Sequence, residues 1–200
     1  MKNPFSETFR IMPDDWLNPL PLERWFRPGA PLEVDVGCGK GRFLLARAVA
    51  HPETDFLGLD RMLGRLHKID RKLVRRKIAN ARWLRLDAYY AVTYLLPPES
   101  VTTYYIFFPD PWPKKRHHDY RLFNARFLDS LHRTLRPGGR AHFSTDHQPY
   151  FEEVAATLET DRRFRSLRPP FEPTDEERTD FELMFQAAGP IGRYSFEKPG

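Results

Sequence analysis

Val34-Asp35-Val36-Gly37-Cys38-Gly39-Lys40-Gly41 is the stretch on which the fold turns. It closes a short apolar run, Leu32–Val36, with three glycines at alternate positions, and a helical pattern carrying Phe43, Leu44, Ala46 and Ala48 follows. Strand, glycine turn and helix in that order imply an α/β unit with a ligand at the turn. Glycines permit the tight bend, let a ligand approach the backbone, and leave a helix N-terminus facing it. Three nucleotide-type loops compete for the stretch. A P-loop needs Ser or Thr after its lysine to hold magnesium, and Gly41 stands there. A dinucleotide loop reads G-x-G-x-x-G, whereas position 42 is Arg; a nicotinamide-dependent oxidoreductase survives only as the alternative. The third form is G-x-G-x-G with an acid two positions ahead, and that is what Asp35 and the three glycines make.

Outward from the loop, strand and helix alternate. Phe56–Leu59 reads as a second strand ending in Asp60. A helix follows with Met62, Leu66, Ile69 and Leu73 on one face and Arg65, Lys68, Lys72 and Arg76 on the other. Arg82–Leu86 reads as a third strand, Val101–Phe108 as a fourth rich in β-branched and aromatic residues, and Arg140–Thr145 as a fifth. Helices are expected around Arg121–Leu135, stopped by Pro137-Gly138-Gly139, and over Tyr150–Thr160. Two short strand-like pieces, Phe164–Leu167 and Arg193–Phe196, complete the chain. This alternation predicts an α/β fold with a mostly parallel seven-stranded sheet and helices on both faces. Residues 1–30, rich in Pro, Trp and Phe, are expected to form an ordered arm, with one domain over 31–200.

The 200 residues carry a net charge of +5, which favours an anionic partner such as nucleic acid. The distribution says more than the total. Between Arg61 and Arg85 every Lys or Arg is opposed by a single carboxylate, Asp70, and a second basic knot runs Lys114-Lys115-Arg116-His117-His118. The lone cysteine, Cys38, excludes an internal disulfide framework, and small apolar packing is its expected role. With no membrane-length apolar run and no leader-like N-terminus, a cytoplasmic protein that binds no membrane is expected. No metal is expected: adjacent histidines rarely ligate one ion, and no Cys or carboxylate set completes a site. A monomer and a homodimer are both compatible with the sequence.

Three carboxylates stand near the ends of consecutive strands, where such sheets bind ligands. Asp60 can accept hydrogen bonds from two ribose hydroxyls or cap the helix that follows it; Asp87, ahead of Ala88, can likewise cap a helix. After the fourth strand comes Phe107-Phe108-Pro109-Asp110-Pro111-Trp112-Pro113-Lys114-Lys115-Arg116-His117-His118. Flanking prolines aim the Asp110 carboxylate. Such a group can receive the N1–H and the exocyclic amine of guanine together. Trp112 can stack or pack, and Lys114, Lys115 and Arg116 offer phosphate contacts.

The glycine loop resembles the first motif of class I S-adenosylmethionine-dependent methyltransferases, whose Rossmann-like fold it implies. The Phe107–His118 string resembles the F-P-D-P-W-x-K-x-R-H signature of the tRNA (guanine-N7-)-methyltransferase family. Asn80–Ala88, Thr145-Asp146 and Arg178-Thr179-Asp180-Phe181-Glu182 are similar to further motifs of that family in the same order, so the likeness spans Leu32 to Lys198. It implies methyl transfer from S-adenosylmethionine to a guanosine N7 of tRNA. Asp35, Gly37, Gly39, Gly41, Asp60, Asp87, Ala88 and Asp110 would border the bound cofactor, Asp110 lying between cofactor and guanine as the catalytic residue. Lys114, Asp146, Thr179, Asp180, Phe181 and Glu182 would contact the substrate, and Lys115, Arg116 and His117 the RNA. The family often has Glu at Asp35 and Asp60 and Asn at His147, and Asp119-Tyr120 interrupts its usual basic run. A non-catalytic RNA-binding module on the same fold is a further alternative.

Overall fold

The computed structural model describes residues 8–185 and 189–200, with the backbone alone for Lys115. Residues 1–7 of the expected arm lie outside the described residues. A strand covered on both sides must be apolar throughout, and β4 (Val101–Phe107) is buried at every position, so it lies at the centre. β1 (Leu32–Val36), β2 (Asp55–Asp60) and β3 (Ala81–Arg85) extend the sheet on one side. β5 (Leu135–Thr145), β7 (Gly192–Glu197) and β6 (Arg165–Leu167) extend it on the other. The order is β3-β2-β1-β4-β5-β7-β6, parallel except that β7 runs antiparallel to both its neighbours. Winding reverses between β1 and β4, and an open α/β sheet forms its ligand crevice at the carboxyl ends beside such a switch.

Helices cover both faces. α1 (Arg42–Ala50) and α2 (Leu63–Arg76) pack through Leu44, Leu45, Leu66, Ile69 and Leu73 against Phe56 and Trp83. On the opposite face, α3 (Ala88–Tyr90) continues into a π-helical turn, Ala91–Leu95, beside α4 (Ala125–Thr134) and α5 (Gln148–Thr160). A short α6 (Asp180–Phe185), with no counterpart in the sequence pattern, precedes β7.

Three boundaries depart from expectation. Met62 is exposed at the N-cap of α2 and does not share its apolar face. The helix expected from Arg121 begins at Ala125, because the Asn124 side chain caps it, accepting the Phe127 N–H at 3.0 Å. It ends at Thr134, and β5 starts at once, so Pro137-Gly138-Gly139 lies inside the strand span. Residues Phe9–Ile11 run parallel to β3: the Ile11 N–H donates to the Trp83 carbonyl at 2.8 Å, and the Trp83 N–H to that of Phe9 at 3.0 Å. Asp70, fully buried, secures this edge by accepting the Phe9 N–H at 2.8 Å and the Trp83 indole N–H at 2.9 Å.

Candidate active site

A cleft of about 1220 Å³ opens at the carboxyl ends of the strands near the switch point. Gly37, Asp60, Asp87, Ala88 and Asp110 line it, with Arg61, Arg65 and Arg126 at its walls. Five of the expected site residues therefore share one concavity.

The glycines do different work. Gly37 sits at φ +80° with nothing within 4 Å of where a Cβ would be, so it leaves room for a ligand. Gly41, at φ +75°, is the N-cap of α1, and a Cβ there would meet Ile69 Cγ1 at 2.6 Å. It serves helix packing and, like Gly39, does not line the cleft. Asp35 lies below the loop, buried, with Oδ2 lacking a hydrogen-bond partner among the described residues. Burial, and then the neighbouring Asp60 charge, push its carboxyl up to about 8. The same burial, with both carboxylates nearby, pushes the Cys38 thiol well up, as suits a packed and unreactive residue.

Asp60 does not cap α2, whose N-cap is Met62, but it braces the turn before it. Its Oδ2 accepts the Gly39 N–H at 3.0 Å and its Oδ1 the Met62 N–H at 2.7 Å, so it ties the glycine loop to the start of α2 while facing the cleft. Asp87 caps α3 through the Tyr90 N–H at 3.2 Å and is half exposed.

Asp110 is exposed on a loop whose flanks are bent: Phe108 and Trp112 take φ of +52° and +42°. For aromatic residues this is a costly backbone, held only where the surroundings enforce it. Arg121 supplies the restraint. Its Nε donates to the Pro111 carbonyl at 2.7 Å, its guanidinium pairs with Glu153, and it lies 4.8 Å over the Tyr150 ring. Trp112 packs against His117 and Tyr120, with ring centroids 5.7 and 5.3 Å away. Lys114 and Arg116 are exposed outside the cleft, Lys114 as the N-cap of a 3-10 turn, Lys115–Tyr120, and Arg116 within it; the Lys115 side chain lies outside the described atoms.

The C-terminal candidates reach this loop from the side. The Phe181 ring lies 4.8 Å from that of Phe108. Thr179 Oγ1 accepts the Glu182 N–H at 3.0 Å, and Glu182 is buried in an ion pair with Arg193, its Oε2 left without a partner. Asp180 lies where it attracts Lys72, which donates to the Lys40 carbonyl at 2.9 Å. Asp146 is exposed beyond β5, and His147 caps α5, its Nδ1 accepting the Tyr150 N–H at 3.2 Å. None of residues 179–182 lines the cleft itself; Phe181 meets its rim.

Residues 29–189 match a family model described as "Putative methyltransferase". The tRNA (guanine-N(7)-)-methyltransferase of Nitrosococcus oceani is 38% identical over 171 residues, 86% of this chain and 72% of that protein. The chain belongs to this family. Its fold is that of class I methyltransferases. The 16S rRNA methyltransferase KamB superposes with a TM-score of 0.64 at 14% identity, covering 90% of this chain and 93% of that one. The 16S rRNA (adenine(1408)-N(1))-methyltransferase W203A mutant from Catenulisporales acidiphilia, crystallised with cosubstrate SAM, gives 0.60 at 17% identity, covering 89% and 88%.

In this methyltransferase, sequence reasoning missed the residues that hold the two halves of the site together. Arg42, the first residue of α1, donates from Nε to the Arg178 carbonyl at 2.8 Å and from Nη2 to that of Asp175 at 3.2 Å. It thereby fastens the segment before α6 to the glycine loop. Arg121, Lys72 and Arg193 work in the same way. The only sequence signal was a basic residue beside a motif, which by itself reads as a solvated charge.

Proposed function

We propose that this methyltransferase acts on tRNA, converting a guanosine, in the variable loop by family resemblance, to 7-methylguanosine in the cytoplasm. The observation that carries the reading is the one cleft lined both by Asp60 and Asp87, near the strand ends, and by the proline-flanked Asp110. Among the described residues no helix is long and apolar enough to cross a membrane.

The residues fit S-adenosylmethionine. The buried Asp35 oxygen without a partner is a natural counterpart for an α-ammonium, and the open side of Gly37 admits the amino-acid portion. Asp60 retains acceptor capacity for ribose hydroxyls, and Asp87 and Ala88 would border the adenine. A pyrophosphate would instead face the Asp60 carboxylate with like charge, which disfavours the dinucleotide alternative. The cofactor supplies an electrophilic methyl group on a sulfonium.

What remains for the chain itself is positioning. Guanine N7 has an available lone pair and no proton, so no general base is called for. Asp110 would receive the guanine N1–H and amine, fix the plane of the base, and offset the positive charge the ring acquires. Arg121, by holding Pro111, keeps that carboxylate aimed.

Incubation with unmodified tRNA and labelled S-adenosylmethionine, followed by aniline-sensitive scission, tests the reaction. Asp110→Ala should lose roughly 10²–10³ in turnover while S-adenosylhomocysteine affinity measured by calorimetry stays unchanged. Turnover equal to the wild type would remove Asp110 from the mechanism, and heat on adding NAD would revive the oxidoreductase.

A further inference from the structure

A second concavity, about 660 Å³, lies at the opposite edge of the sheet, where β1, β2 and β3 begin. The N-terminal arm forms one wall with Arg24, Trp25 and Arg27, and the end of α2 forms the other with Arg76, Lys77 and, from β3, Arg82. Most of these cations are engaged. Arg27 pairs with Asp55 at 2.8 Å, Arg24 pairs with Asp14 and lies 5.2 Å over the Trp25 ring, and Arg82 donates to the Ala79 and Ala81 carbonyls. The Arg76 and Lys77 side chains are exposed and have no hydrogen-bond or ion-pair partner among the described residues. The carboxylates lining the concavity are Asp55, already matched, and Glu23. An unmatched pair of cations beside an aromatic wall is the composition that receives a nucleotide phosphate.

What links this pocket to the cleft is α2. Arg61 and Arg65 border the cleft at the start of the helix, and Arg76 and Lys77 border the second pocket at its end. Between them Lys68 and Arg75 are exposed, and Lys72, on the same face as Lys68, is partly so. Asp70, the one acid in this helix, is spent inside the protein on backbone and indole N–H groups. The helix of 14 residues is about 21 Å long at ~1.5 Å per residue. That is long enough to follow several nucleotides of an RNA backbone.

We infer that the pocket between the N-terminal arm and the end of α2 is a second RNA-backbone site. It takes a phosphate of the same tRNA whose guanosine occupies the cleft, with the basic face of α2 tracking the strand between. This rests on the tRNA reading above. It also gives the aromatic arm a role, since the Trp25-Phe26-Arg27 stretch walls the pocket.

The test compares Arg76→Ala/Lys77→Ala with a control, Arg136→Ala/Arg162→Ala, which removes two exposed cations elsewhere on the surface. Affinity for an unmodified tRNA transcript is measured by fluorescence anisotropy from about 50 to 300 mM salt, with KM and kcat alongside. The pocket variant should bind roughly tenfold more weakly at ~0.1 M salt, and its log K against log salt slope should fall by about 1. KM for tRNA should rise, while kcat at saturating tRNA and S-adenosylhomocysteine affinity hold. The control should change affinity less than about twofold. Equal losses in both variants, or an unaltered slope in the pocket variant, would overturn the second site while leaving methylation in place. A wild-type protein that methylates no tRNA would overturn the tRNA reading first, and this inference with it.

Discussion

Asp35 should be protonated in the free protein at neutral pH, and cofactor binding should expel that proton. Burial and the Asp60 charge raise its carboxyl from 3.8 to about 8. At pH 7 the ratio of protonated to ionised Asp35 is then roughly ten to one, because each unit between pH and pKa is a factor of ten. An α-ammonium placed against Oδ2 reverses the preference, so binding should release about 0.9 proton. Calorimetry with S-adenosylhomocysteine at pH 7, in buffers of different ionisation enthalpy, reads this number from the slope of apparent heat against buffer enthalpy. Affinity should also climb between about pH 6 and 7.5, by close to tenfold per unit.

The same shift has a stability consequence of definite sign. A carboxyl whose folded value is raised makes the native state bind the proton more tightly than the unfolded chain does. Stability of the free protein therefore falls as pH rises from 3.8 and levels off above about 8. By pH 7 the accumulated loss is on the order of 4 kcal/mol at ~1.4 kcal/mol per unit. Asp35→Asn removes it, so the variant should melt higher than the wild type at pH 7 and bind S-adenosylhomocysteine roughly 10²-fold more weakly, the worth of a charge-assisted hydrogen bond. Binding heats independent of buffer, together with a variant no more stable than the wild type at pH 7, would refute the argument.

Two further outcomes follow from single contacts. Arg42→Ala deletes both bonds to the 175–178 segment; kcat/KM for tRNA should drop about tenfold with S-adenosylhomocysteine affinity within a factor of about three, and a matching loss of cofactor affinity would place Arg42 on the cofactor side instead. His147→Ala should cost about 1 kcal/mol through loss of the α5 cap, a fall of roughly 2–4 °C in Tm, whereas His147→Asn should keep it, and equal falls in both variants would refute the capping role.

Much of the architecture was legible because repeated βα units write a strong local pattern. β4 reads as a strand from its run of β-branched and aromatic residues, and Asp60 and Asp87 mark two crevice-facing strand ends through simple order along the chain. The pattern fails where partners are distant. Arg42 finds its acceptor 136 residues away, and Arg121, expected as the first residue of a helix, is drawn to the Pro111 carbonyl and to Glu153, 32 residues on. The segment from Arg168 to Thr179 has no period of its own, so its path, and with it α6, could not be read from spacing. Asp60 shows the opposite case. Helix capping looks like a rival to a cleft-facing role in the sequence, yet Asp60 leaves the cap to Met62, accepts the Gly39 and Met62 N–H groups, and still faces the cleft.

That unpatterned segment also accounts for an otherwise odd sheet face. Along β1, β4, β5 and β7, the residues Glu33, Tyr105, His142 and Ser195 bring polar groups to positions that a covering helix would require to be apolar. An irregular backbone cannot satisfy its own N–H groups and must borrow acceptors. Ser195 Oγ accepts the Phe171 N–H at 2.8 Å and bonds His142 Nδ1 at the same distance, and Glu177 accepts the Thr174 N–H at 3.1 Å. Arg47 joins the layers by pairing with Glu177 at 3.2 Å and with Glu33 at 3.1 Å, whose Oε2 also accepts the Tyr105 hydroxyl. Burial, reinforced by Arg140 and Arg47, lowers His142 to about 3, so this tether keeps one charge state across the neutral range. The strands that carry the glycine loop and Asp110 thus also fix the segment leading to Phe181 at the cleft rim. Cofactor side and substrate side are anchored to one rigid layer, which is what a reaction driven by alignment demands.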